Sequence, residues 1–145
     1  MNLRAASVVG FILMVVALAV LISIRSLLAD SAITVTLQVA GVVFMIWARI
    51  TFGRRSFHLA ANPMEGGLVT SGPYRLVRHP IYSSVLLFTI AGVITHISPV
   101  SICCSVVLIG GVALRVYAEE KLVTRQYPEY ADYAAKTKRI IPFVV

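Results

Sequence analysis

Five side chains in this sequence have the types and spacing to handle a small charged molecule: Tyr74, His79, Tyr82, Arg115 and Glu119. Proline suits the first turn of a helix, where its missing N–H costs nothing, so Pro80 places His79 at or near an N-cap. A helix start offers unpaired N–H groups and the positive end of the dipole, which favour an anionic group. Tyr82 follows His79 by three residues, close enough for both side chains to overhang one pocket. Arg115 and Glu119 are spaced i, i+4 and share a helix face. Together these groups can orient a carboxylate, or take a proton from an amine. Spacing alone leaves a second reading equally open, in which Arg115 and Glu119 form a surface ion pair worth well under about 1 kcal/mol.

The stretch leading into His79 is the longest polar, turn-prone segment between apolar runs: Gly66-Gly67-Leu68-Val69-Thr70-Ser71-Gly72-Pro73-Tyr74-Arg75-Leu76-Val77-Arg78. Gly72-Pro73 is a turn signal, and Gly66-Gly67 lets the backbone approach something bound. A basic, glycine-loosened loop feeding a helix start has the character of a ligand site.

The elements that must position these residues are apolar. Of the 145 residues 59% are hydrophobic and only 13% charged, with a mean hydropathy of +0.89; a soluble domain carries about 25% charge. The chain therefore reads as one all-α integral membrane domain with no room for a separate soluble domain. The net charge of +7 sits beside apolar spans without a nucleic-acid-binding motif. It reads as a topology signal and a partner of anionic lipid. Cys103 and Cys104 are adjacent in an apolar run and read as packing residues.

Four spans are expected, at about 5–25, 31–49, 80–96 and 99–116. Ala5 to Ile24 is a run of 20 uncharged residues, about 30 Å of helix. It is too long for the apolar core of a signal peptide, so it reads as a retained span. Ser31 to Ala48 gives 18 more, ending where Trp47 and Arg49 read as an interface anchor. The loop 53–79 carries the site, with His58, Asn62 and Glu65 as its other polar features. His58 has no second ligand at metal spacing. From His79 to Leu114 there are 36 residues without Asp, Glu, Lys or Arg. This run is expected to form a helical hairpin broken at Thr95-His96-Ile97-Ser98-Pro99. Gly110-Gly111 suits close helix packing.

After Arg115 the helix is expected to run on to about Gln126, where Pro128 interrupts it. A cytoplasmic tail, 117–145, then carries a short amphipathic helix from Glu129 to Lys138 along the surface. Apart from Arg25, every Lys and Arg lies on the side shared by both termini and the central loop. By the positive-inside rule that side, with the site, is cytoplasmic.

Leu68-Val69-Thr70-Ser71-Gly72-Pro73-Tyr74, Arg78-His79-Pro80-x-Tyr82, Glu119-Glu120, the Tyr130-x-x-Tyr133 pair and Ile141-Pro142-Phe143 together resemble the isoprenylcysteine carboxyl methyltransferase family, whose wider relatives include phospholipid methyltransferases. The likeness covers roughly Gly53 to Phe143. It implies use of S-adenosylmethionine in a membrane-embedded fold, in keeping with the lack of a strand followed by G-x-G-x-x-G. It also implies cofactor contacts from Leu68, Val69, Tyr74, His79, Pro80, Ile81, Tyr82 and Glu119, and places Arg115 where the family's substrate-binding arginine falls. Relatives commonly carry a His where Gly66-Gly67 stand here, and many have more than four spans.

The function expected is methyl transfer from S-adenosylmethionine to a lipid-like or prenylated acceptor at the cytoplasmic face, with Arg115 and Glu119 carrying the chemistry. A carboxylate acceptor of isoprenylcysteine type needs no general base, and Arg115 would orient it. An amine headgroup would need a base, with Glu119 or Glu120 as candidates. The rival enzyme class is an NADPH-dependent membrane sterol reductase. The non-enzymatic rival, a small four-span transporter or structural subunit, fits poorly with spans one, two and four, which lack interior ionisable residues.

Overall fold

A computed structural model describes residues 2–53 and 67–142. His58, Asn62, Glu65 and Gly66 lie outside the described residues, as does Phe143. The elements are α1 (Leu3–Ser23), α2 (Ala32–Phe52), a 3-10 turn (Gly72–Arg75), α3 (Pro80–Thr95), α4 (Pro99–Gln126) and α5 (Tyr130–Lys136). Among the described residues there is no strand beyond one isolated bridge, between Val77 and Lys138.

Local chemistry sets the helix ends. The Asn2 side chain accepts from the Arg4 amide at 3.1 Å to cap α1, and Ser31 caps α2 through the Thr34 amide at 3.3 Å. Pro80 opens α3 with His79 as N-cap, although the His79 side chain makes no capping bond. Pro99 opens α4 behind a reciprocal capping box between Ser98 and Ser101. Helix α4 ends at Gln126, before Tyr127-Pro128, and α3 and α4 part at residues 96–98.

Three helices, α1, α2 and α4, are long and apolar enough to cross a membrane; α3, with 16 residues, is shorter. Their outward faces carry Ile12, Val16, Val43, Ile46 and Val106, all more than half exposed. Such contiguous apolar surface suits lipid and not water.

The helices pack in pairs, α4 along α1 and α3 along α2. The first pair meets at two glycines. A Cβ on Gly10 would lie 2.7 Å from the Gly111 carbonyl oxygen, and a Cβ on Gly111 would lie 2.7 Å from that of Gly10. Backbones therefore touch where side chains would keep them apart. Gly110 faces open space. Around this crossing Met14, Ala17, Leu108, Val112 and Val116 form the core. In the other pair, buried Gln38 of α2 donates to the Phe88 carbonyl of α3 at 3.0 Å and the Leu27 carbonyl at 2.7 Å.

The tail differs from the sequence reading. Helix α5 is shorter, stopping at Lys136, because the next residues pair with the loop before α3. Arg78 and His79 donate their amides to the carbonyls of Lys138 (2.7 Å) and Arg139 (2.9 Å), and Ser83 Oγ donates to the Ile140 carbonyl at 2.6 Å. The segment stays at the surface, with Lys138, Arg139, Ile141 and Pro142 exposed, and these bonds tie it to the loop before α3.

Candidate functional site

A cavity of about 410 Å³ opens where the ends of α2 and α4, the start of α3, the 67–79 loop and α5 converge, with α1 as its far wall. That volume is within the range of small-molecule sites. All the residues singled out from the sequence line it: Leu68, Val69, Tyr74, His79, Pro80, Ile81, Tyr82, Arg115 and Glu119.

Arg115 is only 6% exposed, which removes the surface-ion-pair reading. Its Nε donates to the Tyr82 hydroxyl at 2.6 Å and its Nη2 to Glu119 Oε1 at 3.2 Å. The Tyr82 hydroxyl in turn donates to Glu119 Oε1. The guanidinium also lies 5.3 Å from the Phe11 ring centroid, a cation–π distance. Tyr82 thus sits between a cation and an anion, and none of the three can turn without breaking a contact.

A row of alternating charge continues from there. His79 Nδ1 lies 3.6 Å from Glu119 Oε2, and its Nε2 lies 3.6 Å from Glu120 Oε1. Both distances exceed a good hydrogen bond, and Nε2 is buried without a hydrogen-bond partner. The ring stacks on Tyr82, centroids 5.8 Å apart. Burial pushes the His79 imidazole towards neutrality, but the two flanking carboxylates outweigh it and hold its pKa above the ordinary 6.5. Glu120 accepts from Arg78 Nε at 2.9 Å and Arg139 Nε at 3.0 Å. Arg78 also donates to the carbonyls of Ala134, at 2.8 Å, and Thr137.

The loop side is aromatic. The Phe52 and Tyr74 rings lie 5.4 Å apart, and the Tyr133 hydroxyl donates to the Tyr74 carbonyl at 2.7 Å. Gly72 has φ 56, and a Cβ there would lie 2.8 Å from Thr51 Oγ1, so this turn needs glycine on two counts. Burial raises the Tyr74 pKa, and pushes that of Tyr133 up to about 12, leaving both phenols neutral at physiological pH.

Sequence reasoning missed Arg49 and Arg78 as parts of the site, together with the α1 wall of Phe11, Met14, Val15 and Leu18, and Arg139, which reaches it through Glu120. Arg78 stood inside the quoted motif, but nothing local marks its partner Glu120 as a tether for the tail. The α1 residues carry only a general apolar pattern.

With this geometry in hand, similarity to known proteins has a place to act. The family model described as phospholipid methyltransferase matches residues 29–130, well over half of the chain. The chain belongs to that family, and it is an integral membrane protein. It is similar to protein-S-isoprenylcysteine O-methyltransferase A of Arabidopsis thaliana, 34% identical over 110 residues, which cover 73% of this chain and 56% of the relative. It is also similar to protein-S-isoprenylcysteine O-methyltransferase B of the same plant, 30% identical over 145 residues, covering 88% of this chain and 74% of the relative. A shorter match, 36% identical over 80 residues and 35% of the relative, is to the cobalt-zinc-cadmium resistance protein CzcN of Cupriavidus metallidurans. The chain thus spans a little over half of the first plant relative and about three quarters of the second. No solved structure matches it.

Proposed function

We propose that this protein is an S-adenosylmethionine-dependent methyltransferase acting at the cytoplasmic face on a membrane-associated amphiphile with a carboxylate, of isoprenylcysteine type. One observation carries the reading: buried Arg115 stands where the polar mouth of the cavity meets an apolar wall of Phe11, Met14, Val15 and Leu18. A ligand with a charged head and an apolar tail suits that boundary. The plant relatives named as isoprenylcysteine methyltransferases support it.

The residues present suit the cofactor. Glu119 offers a carboxylate to amino or hydroxyl groups, and buried His79 Nε2 has a ring position with no hydrogen-bond partner. Leu68, Val69, Pro80 and Ile81 supply apolar contacts, and the faces of Tyr74 and Tyr82 suit a cation. When bound, S-adenosylmethionine supplies a methyl group on its sulfonium. The planar guanidinium of Arg115 suits the acceptor carboxylate. That carboxylate is already ionised, so this chain's residues need only align it, and positioning supplies most of the rate. The apolar wall keeps water from the reacting pair.

The family description favours a second reading, an amine headgroup as acceptor. Glu119 would then take the proton the amine must lose, with His79 and Glu120 behind it.

For the membrane arrangement we propose four spans, with α3 as a short fourth, about 24 Å long at 1.5 Å per residue, and both termini cytoplasmic. The distribution of Lys and Arg supports this orientation.

The test is calorimetry on protein purified into lipid nanodiscs, titrated with S-adenosylmethionine and separately with NADPH. Transfer of labelled methyl to a farnesylated cysteine or to phosphatidylethanolamine is then followed. Binding of S-adenosylmethionine with labelling of the farnesylated cysteine is expected. Binding of NADPH alone would replace the proposal with a reductase, and labelling of phosphatidylethanolamine alone would move it to the amine reading.

A further inference from the structure

Arg115 is a long side chain held almost wholly out of solvent. A long side chain must be fixed before it can meet a ligand in one geometry, because freezing it on binding costs affinity. Its bonds to Tyr82 and Glu119, through Nε and Nη2, do part of this. Both act at the edge of a planar group, where the N–H donors lie. The faces of a guanidinium are held differently, by aromatic rings.

Helix α1 meets this one side chain through two adjacent residues. A Cβ on Gly10 would lie 3.0 Å from Arg115 Cγ and 3.3 Å from its backbone nitrogen. Glycine therefore lets the arginine stem run close along α1. At the next position the half-buried Phe11 ring takes the head, with Arg115 Cζ 5.3 Å from its centroid. The Tyr82 ring stands 5.8 Å from the same Cζ. One guanidinium thus has a ring from α1, a ring from α3 and a carboxylate from its own helix. Tyr82 is bound into the polar row by its hydroxyl. The Phe11 side chain has no polar atom, so what it gives Arg115 is its ring alone. The family match begins at residue 29, so this partner stands on a helix outside the matched region.

We propose that Phe11 is a positioning residue, whose ring holds the Arg115 guanidinium in the orientation that receives the acceptor carboxylate. What Arg115 receives rests on the methyltransferase reading; the contact with Phe11 does not. The geometry also says which half of the reaction is concerned. Phe11 begins the apolar wall that runs on through Met14, Val15 and Leu18, and it stands where that wall meets the cation. Leu68, Val69 and Tyr74, expected to contact the cofactor, come from the loop before α3. Acceptor use should depend on the Phe11 ring, and cofactor binding should not.

The experiment compares, in nanodiscs, wild type, Phe11→Leu and a protein with trifluorinated phenylalanine in place of Phe11. Fluorination keeps the shape of the ring but drains negative charge from its face. Three quantities are read: kcat/KM for farnesylated cysteine, S-adenosylmethionine affinity by calorimetry, and exchange of the Arg115 Nε proton with water by nitrogen NMR. Both altered proteins are expected to lose about tenfold in kcat/KM, the order of a buried cation–π contact. Cofactor affinity should stay within about twofold, and proton exchange should speed up. In an Arg115→Lys background the same changes at position 11 should cost much less. Wild-type kcat/KM and exchange in the fluorinated protein would mean that the ring only fills space, and would overturn the assignment even if Phe11→Leu fails to fold. Cofactor affinity falling as far as acceptor turnover would also overturn it, since Phe11 would then shape the whole cavity. A wild type that methylates no farnesylated cysteine sinks the methyltransferase reading and the acceptor role together. Proton exchange then still judges the contact: acceleration on fluorination upholds it, and an unchanged rate removes it.

Discussion

Glu120 accepts from Arg139 at 3.0 Å, and this contact ties the C-terminal end of α4 to the tail. Its neighbour Glu119, about 100° round the helix, holds Tyr82 and Arg115 instead, and His79 lies between the two carboxylates. Both glutamates line the cavity, but only Glu120 also ties the tail.

Glu120→Ala should leave Arg78 and Arg139 without their shared carboxylate and lower stability by about 1–3 kcal/mol, the cost of an unsatisfied charged partner. Limited proteolysis checks it. Cleavage after Lys136 or Lys138 should speed up in the variant, and an unchanged rate would mean the tail is held by its backbone pairing alone.

Glu119→Ala and His79→Ala should each weaken S-adenosylmethionine binding by more than about 1 kcal/mol, the scale of one charge-assisted hydrogen bond. Calorimetry gives the number directly. Wild-type affinity in both variants would move the cofactor elsewhere.

Arg115→Lys keeps a charge but loses the planar fork. Acceptor turnover should fall strongly while cofactor affinity stays nearly unchanged. Because Arg115, Tyr82 and Glu119 share contacts, Arg115→Lys and Tyr82→Phe should combine non-additively, by roughly 0.5 kcal/mol or more. Strict additivity in turnover would mean that the two side chains act apart. Loss of cofactor binding in Arg115→Ala, with turnover spared at saturating cofactor, would place Arg115 in the cofactor pocket.

The pH dependence follows from His79, whose folded-state pKa is raised above 6.5 by Glu119 and Glu120, against the effect of burial. A raised pKa means the folded state binds the proton more tightly than the unfolded chain. The stabilisation is then fully present below about pH 6.5 and is lost as pH rises through the folded value. Melting temperatures of wild type and His79→Gln should differ most in their slopes above pH 6.5, with wild type falling more steeply. Parallel slopes would deny the imidazolium its place between the carboxylates.

Gly10→Ala and Gly111→Ala should each destabilise by about 1–3 kcal/mol, since the added methyl meets a carbonyl at 2.7 Å and overpacks the crossing. Gly110→Ala faces open space and should be neutral or stabilising by a few tenths of a kcal/mol, through unfolded-chain entropy. Equal effects at 110 and 111 would mean that α1 and α4 do not cross there.

Much of this was legible because it is written in local chemistry. Pro80, Pro99 and Pro128 mark helix boundaries wherever they fall, and the i, i+4 spacing of Arg115 and Glu119 marks a shared face in any helix. The remainder depends on partners distant in sequence. Arg49 beside Trp47 has the same sequence signature whether it anchors the membrane interface or faces a cavity. The pairing of Lys138 and Arg139 with the loop before α3 has no periodicity to announce it. The contact of Gly10 with Gly111 needs both helices before either glycine means anything.

The seal made by the tail also sets an order of events. Ser83 is held by Ile140, 57 residues later in the chain, and His79 by Arg139. During synthesis the helices enter the membrane in sequence, and the amides of Arg78 and His79, just before α3, stay unpaired until the tail emerges. A chain cut short within α5 keeps every apolar helix but lacks the pairing of Lys138 and Arg139 with the loop before α3. Such a product would pass quality control that inspects only membrane insertion, while lacking the last contact that shapes the pocket.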